Sequence, residues 1–193
     1  MRIPPEKGLN RMKITGGAAK GRRIGRPGPG IRPTSAKVRE ALFDILRSRA
    51  PGGTFLDLCA GTGAVGVEAL SRGYDRVVFV DAEPGAVRDL ERRLGELGFH
   101  PRADVRLASA LDFVDSAAKA GKAFDVVFID LPYASPEAAG LLERIAAGGL
   151  LRAGGCVVVE HAARTLPPEP PRLHRKTRTY RYGDTALSLY VQE

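Results

Sequence analysis

Five short apolar runs, each joined to the next by a stretch of helical periodicity, constrain this chain more than any other feature. TFLDL (54–58), RVVFVD (76–81), FDVVFID (124–130) and CVVVE (156–160) are largely apolar, and DVRLAS (104–109) reads as a more polar strand among them. Strands of that kind belong to parallel sheets, where crossover helices cover both faces. Residues 63–73, 84–97, 110–120 and about 135–147 read as the helices between them. Gly73 ends the first, and Pro84 occupies the first-turn position that proline tolerates. The chain closes with RLHRKTRTYRY and TALSLYVQ around Gly183-Asp184, a hairpin signal that places two more strands at the sheet edge. The expected fold class is α/β and Rossmann-like: a mostly parallel seven-stranded sheet, helices on both faces, and a C-terminal antiparallel hairpin.

The first fifty residues follow another pattern. RMKIT (11–15) and GRRIG (21–25) are β-compatible and flank Gly16-Gly17, which suggests a small basic hairpin or arm. A Pro/Gly-rich connector, GRPGPGIRPT (25–34), leads to a helix at about 35–49. Ser35 can cap that helix, and Val38, Leu42, Ile45 and Leu46 share one of its faces. The 193 residues suit one domain with an appendage. We therefore divide the chain into a basic arm (1–34) and an α/β domain (35–193).

Charge is unevenly spread. Residues 1–50 carry 13 Lys/Arg against 3 Asp/Glu, residues 51–166 carry 12 against 16, and residues 167–193 carry 5 against 3. An acidic middle between basic ends suits a protein that meets a polyanion, and equally a solubilising surface. Apolar runs long enough for a transmembrane helix are lacking, and the N-terminus has no apolar segment of a secretory signal. Cys59 and Cys156 lie far apart, which excludes a disulfide scaffold and a zinc-finger pattern. The expectation is a cytoplasmic protein with no membrane partner and no metal site, working as a monomer.

The loop after the first strand, Asp57-Leu58-Cys59-Ala60-Gly61-Thr62-Gly63-Ala64-Val65-Gly66, carries the strongest chemical signal. Glycines let a backbone turn sharply and approach a ligand, and the next helix offers free N–H groups at its start. Ligands of open α/β sheets bind beyond the carboxyl ends of the strands. Gly61-x-Gly63-x-x-Gly66 also fits a dinucleotide fingerprint, and a plain tight turn is the unliganded alternative. Asp57, placed before the glycines, favours a ligand with an ammonium group and disfavours a pyrophosphate. S-adenosylmethionine has the ammonium and a sulfonium and lacks phosphate. Asp81 closes the second strand, where a carboxylate can accept both ribose hydroxyls.

The fourth strand ends in Asp130-Leu131-Pro132-Tyr133. An exocyclic base amine is a poor nucleophile because its lone pair is delocalised into the ring. A carboxylate and a backbone carbonyl accepting its two N–H bonds can turn the lone pair toward a methyl donor. An aromatic ring can stack on the base. Pro132 biases Leu131 toward extended geometry, which aims that carbonyl outward. An ordinary strand-to-helix turn capped by Asp is the bland alternative.

In this order, the residues resemble class I S-adenosylmethionine-dependent methyltransferases acting on nucleic-acid amines. More closely they resemble the RsmD-type 16S rRNA guanine-N2 methyltransferases, over roughly residues 11–192. ITGGAAKGRRI, GIRPTSAKVREALFDIL, FLDLCAGTGAVGVEALSRG and YGDTALSLY carry the likeness, and the second is the most family-specific. The resemblance implies that Asp57, Cys59, Ala60, Gly61 and Gly63 line the methionine end of S-adenosylmethionine. It places Asp81 at the ribose and Ala82, Ser109 and Ala110 at the adenine. Asp130, Leu131, Pro132 and Tyr133 would hold the guanine amine. Arg32, Thr34 and Arg39 would lie on the RNA side, joined by Lys20, Arg22 and Arg23 of the arm. The implied partner is 16S rRNA in the small (30S) ribosomal subunit or an assembly intermediate.

Two positions depart from the family pattern. Leu131 stands where Pro is usual, although the acceptor is a main-chain carbonyl that Leu also supplies. Ser109 stands where Asp is common, which weakens one adenine contact. Three rivals remain at this point. They are an NAD-dependent oxidoreductase on the same loop, a non-catalytic RNA-binding assembly factor, and a methyltransferase for adenine N6 or another nucleic-acid amine.

Overall fold

Alternation along the central strands divides the interior into two layers. In β3 (Thr54–Leu58) Phe55 joins one apolar cluster while Leu56 and Leu58 join the other. In β6 (Phe124–Asp130) Val126 and Phe128 face the first cluster, and Val127 and Ile129 the second. A strand whose two faces are both buried has no polar side, which is why these runs read as uniformly apolar. The computed structural model describes residues 12–25, 34–47, 52–131, 137–165 and 174–192.

The first cluster is covered by α1 (Ala36–Leu46), α2 (Ala64–Ser71) and α3 (Pro84–Leu97), the second by α4 (Ala110–Lys119) and α5 (Glu137–Ala147). The remaining strands of the sheet are β4 (Arg76–Asp81), β5 (Ala103–Leu107), β7 (Leu151–Ala162), β8 (His174–Tyr182) and β9 (Thr185–Gln192). The sheet has seven strands in the order β5-β4-β3-β6-β7-β9-β8. From β5 to β7 the neighbours run parallel, whereas β9 is antiparallel to β7 and β8 to β9. The chain first builds outward from β3 through β4 to β5, then returns to β6 on the other side of β3. That reversal leaves a crevice beyond the carboxyl ends of β3 and β6, where open α/β sheets bind ligands.

The structure differs from the sequence reading in the bounds of several elements and in the placement of the hairpin. The strand expected at 104–109 stops at Leu107, because Ser109 turns to cap α4 and accepts from the Asp112 N–H at 3.1 Å. The strand expected at 156–160 extends over Leu151–Ala162, supported on both sides by β6 and β9. Only β8 of the hairpin lies at the edge, since β9 inserts between it and β7 and buries Leu187, Leu189 and Tyr190. Ser35 caps α1 as expected, accepting from the Val38 N–H.

The arm forms a short hairpin, β1 (Met12–Lys13) with β2 (Arg23–Gly25). Ile14 and Ile24 are buried in the first cluster. Glu68 of α2, wholly buried, fastens this hairpin. Its carboxylate accepts from the Thr15 N–H (2.8 Å), the Thr15 hydroxyl (2.7 Å), the Gly16 N–H (2.7 Å) and Arg72 Nε (2.9 Å). Ser71 adds a hydroxyl bond to the Gly16 carbonyl at 2.6 Å. Among the described residues, no helix is long and apolar enough to cross a membrane.

Candidate active site

Four strands bring an acidic residue to the same edge of the sheet. Asp57 is next to last in β3, Asp81 is last in β4, and Asp130 is last in β6. Glu160, near the end of β7, pairs in register with Asp130. These residues flank the crevice at the β3/β6 reversal.

Asp57 is 2% exposed, and its Oδ2 accepts from the Gly66 N–H in the first turn of α2 at 2.9 Å. Burial pushes its carboxyl well above the ordinary range. The Gly66 N–H opposes that shift, and the charges of Asp130 and Asp81 reinforce it. The charges that act on Asp57 are thus of its own sign. A ligand carrying positive charge relieves such a site, and an anion makes it worse.

The loop above Asp57 is held from several sides. Asp81 Oδ2 accepts from the Gly61 N–H at 2.6 Å and its Oδ1 from the Glu83 N–H at 2.9 Å. The Ala60 N–H donates to the Val80 carbonyl at 2.9 Å. Arg93 Nη1 donates to the Thr62 carbonyl, and Arg93 is itself 8% exposed. Cys59 adopts φ +62°, an uncommon left-handed conformation for a side chain other than glycine. Gly63 at φ +69° leaves no room for a side chain, because a Cβ there would lie 2.4 Å from Leu90 Cδ1. Gly66 serves packing: its Cβ would lie 2.2 Å from the Phe79 ring.

Asp130 is bridged to Glu160 by a single hydroxyl. Thr34 Oγ1 lies 3.2 Å from Asp130 Oδ2 and 2.9 Å from Glu160 Oε2. Burial pushes the Asp130 carboxyl up to about 6, and the Thr34 bond opposes that rise. Leu131 is 9% exposed and packs into the second cluster beside the strand ends. Its side chain therefore anchors the start of the loop by burial, where a proline would act by ring rigidity. Pro132 and Tyr133 lie outside the described residues.

The other cofactor candidates sit around the same edge. Ala60 and Gly61 are half-buried, Ala82 is exposed after β4, and Ala110 is half-buried against the second cluster. Cys59 also packs against that cluster. Ser109 is exposed, and its hydroxyl bonds Asp112 Oδ2 at 2.6 Å while capping α4.

The RNA-side candidates separate. Lys20 and Arg23 are exposed. Arg22 is exposed as a residue, but its guanidinium donates to the Leu97 carbonyl at 3.0 Å and the Glu96 carbonyl at 2.8 Å. There it serves the C-terminus of α3. Arg32 lies outside the described residues. Arg39 corrects the sequence expectation: it is 1% exposed and has no face toward RNA. It donates to the Thr34 carbonyl (2.7 Å) and the Lys13 carbonyl (2.8 Å), with Nε 3.8 Å from Glu68. A buried guanidinium needs such partners, because leaving water without them is costly. Thr34 is 5% exposed and turned into the acidic edge beside Asp130.

Sequence reasoning missed Glu160 and Arg93. A charged residue closing an apolar run, as Asp81 and Asp130 do, was a usable signal for Glu160 at the end of CVVVE. Arg93 looked like one more surface cation of a polar helix. Among the described residues, no group of three or more His, Cys, Asp or Glu is arranged to hold a metal ion.

Comparison with known proteins points one way. The sequence profile of the family described as conserved hypothetical protein 95 matches residues 12–191. YlbH of Bacillus subtilis (strain 168) is 34% identical, the match covering 93% of this chain and 98% of that protein. Ribosomal RNA small subunit methyltransferase D of Escherichia coli (strain K12) is 32% identical over 100% of this chain and 96% of that one. The solved structure of yhhF from Escherichia coli superposes with a TM-score of 0.82 at 30% identity, covering 95% and 98% of the two chains.

Proposed function

The chain belongs to the RsmD family of S-adenosylmethionine-dependent rRNA methyltransferases, and from this premise we propose that it methylates the exocyclic N2 amine of a guanine in 16S rRNA. The substrate is the small ribosomal subunit or an assembly intermediate of it, met in the cytoplasm. The observation that carries this reading is the row of carboxylates at the β3/β6 crevice. Asp57, Asp81 and Asp130 converge there, and burial makes Asp57 hard to ionise without a cation beside it. The residues suit S-adenosylmethionine, whose ammonium and sulfonium supply positive charge, and not the pyrophosphate of a dinucleotide.

In this reading Asp57 holds the ammonium directly or through water. Cys59, Ala60, Gly61 and Gly63 form the wall at the methionine end. Asp81 keeps the loop closed through Gly61 and takes the ribose. Ala82, Ser109 and Ala110 border the adenine. Bound there, S-adenosylmethionine supplies an electrophilic methyl group on sulfur. Asp130 and the Leu131 carbonyl accept the N–H bonds of the guanine amine and turn its lone pair toward that methyl. For Pro132 and Tyr133 the family resemblance implies contact with the base. The chief rate terms are positioning, worth up to roughly five to eight orders of magnitude as an effective molarity, and charge placement, worth roughly two to three orders for one well-placed group. Lys20 and Arg23, on the exposed arm, contact RNA phosphates.

The test is methyl transfer from labelled S-adenosylmethionine to 30S particles from cells lacking the protein, followed by digestion to nucleosides. Label in N2-methylguanosine is the expected result. Label in N6-methyladenosine would keep the donor and discard the target atom. No label with S-adenosylhomocysteine still bound would point to a non-catalytic assembly factor.

A further inference from the structure

Glu160 and the Thr34 hydroxyl have no part in the mechanism above, yet both are buried against its central carboxylate. Thr34 is 5% exposed and Glu160 is 6% exposed. Their elements are distant in sequence, Thr34 preceding α1 and Glu160 closing β7. Glu160 and Asp130 are register partners on adjacent parallel strands, so their side chains lie on the same face of the sheet. One hydroxyl proton faces two carboxyl groups, at 2.9 Å and 3.2 Å. A hydroxyl donates once. Thr34 can therefore donate to only one of the two. The second contact needs a proton supplied by a carboxyl group.

We propose that Thr34 and Glu160 are positioning residues for Asp130, holding one proton in common with it and fixing its Oδ2 so that Oδ1 meets the guanine amine. The inference rests on the role given to Asp130 in the proposed function. Arg39 completes the arrangement from α1. Its Nη1 holds the Thr34 carbonyl at 2.7 Å, and its charge acts on Glu160. The Thr34 hydroxyl lies nearer Glu160 than Asp130, 2.9 Å against 3.2 Å, so Glu160 competes with Asp130 for its one donated bond. Burial raises the Asp130 carboxyl, and the share of the Thr34 bond that Asp130 keeps opposes that rise. The other charged groups acting on the cluster are Asp57 from β3, Asp81 from β4 through Asp57, and Glu68 from α2 and Glu40 from α1 through Arg39. His161, next in the chain, turns away to the Ser188 hydroxyl of β9 at 2.8 Å.

The arrangement sets opposite signs for two substitutions. Glu160→Gln removes a negative neighbour and releases the Thr34 hydroxyl to Asp130, so Asp130 ionises at lower pH. Thr34→Val removes the hydroxyl that bridges the two carboxyl groups, so Asp130 ionises at higher pH. Each shift should be about one pH unit or more. Thr34→Ser, which keeps the hydroxyl, should behave as the natural protein.

Two readouts on the full chain decide the matter. The first is the Asp130 carboxyl titration by carbon NMR in uniformly labelled protein, assigned by comparison with Asp130→Asn. It needs no turnover, so it reports on this inference even if methyl transfer fails. The second is the acid limb of single-turnover transfer to 30S particles, which should move in the same directions while KM for S-adenosylmethionine stays within about threefold. Opposite shifts, with Thr34→Ser at the natural value, are the expected result. An unmoved Asp130 titration in Glu160→Gln would overturn the proposal. That variant alone decides it should Thr34→Val fail to fold. Transfer absent from the natural protein, with the NMR shifts present, would instead strike the reading of the reaction.

Discussion

Asp57 shows how a candidate ligand-binding residue can oppose the fold that carries it. Its carboxyl is buried, and its charged neighbours Asp130 and Asp81 are acidic, so the native state holds its proton more tightly than the unfolded chain. Between the unfolded value of about 3.9 and its raised native value, the native state binds more protons, and stability falls as pH rises. Asp57→Asn keeps an oxygen for the Gly66 N–H and removes the charge. It should match the natural protein in melting temperature near pH 4 and exceed it at pH 8. The gain should be roughly 2–4 °C per kcal/mol for a chain of this size. The same variant should bind S-adenosylhomocysteine more weakly, and calorimetry at both pH values checks the pair of outcomes. Asp57 was legible because its spacing to the glycines is local in the chain. Arg39 was not, since its partner Glu68 lies 29 positions on and only the fold brings the two together. A guanidinium in a basic stretch reads as a phosphate contact until its burial is known. The strand read as running to Ser109 stops at Leu107 for a related reason, because a hydroxyl before a helix can cap it, as Ser109 caps α4.

At the scale of elements, the glycine loop and α2 form one device. Gly66 lets the first turn of α2 sit against the Phe79 ring of β4, which brings its N–H within reach of Asp57. Gly66→Ala should cost about 1–3 kcal/mol from overpacking, against a small gain in helix propensity. It should also weaken S-adenosylhomocysteine binding, because the loop moves with the helix. Denaturant melts and calorimetry together test this, and an unaltered melt would show that Phe79 yields easily. The far end of α2 fastens the arm through Glu68 and Ser71. One helix therefore joins the candidate cofactor loop to the basic hairpin. The α/β alternation and the cores of β3, β4, β6 and β7 were legible because both faces of those strands are covered. The place of β9 was not, because hydrophobic pattern reports burial and not neighbours. An interior antiparallel strand reads like any other apolar strand until the order of the sheet is known.

For the whole molecule, the acidic crevice lies in the middle of the chain, and the positive excess lies in its first fifty residues. The family-specific stretch GIRPTSAKVREALFDIL joins these two regions, with Thr34 at the acidic edge and Arg39 tied to the Lys13 carbonyl at the end of β1. On the arm, Lys20 and Arg23 are exposed, while Arg22 is committed to α3. Lys20→Ala and Arg23→Ala should each lower the salt dependence of RNA binding by about one phosphate's worth, with the fold unchanged. Arg22→Ala should lower stability more than the salt slope, and filter binding at several salt concentrations with parallel melts distinguishes them. The central claim is a division of labour along one sheet edge, with cofactor on the β3 side and base on the β6 side. Single-turnover transfer to 30S particles, measured beside S-adenosylhomocysteine binding in Asp130→Ala, tests it most directly. Transfer should fall by about two to three orders of magnitude while the dissociation constant stays within about threefold; equal loss of both, or transfer at the natural rate, would contradict it.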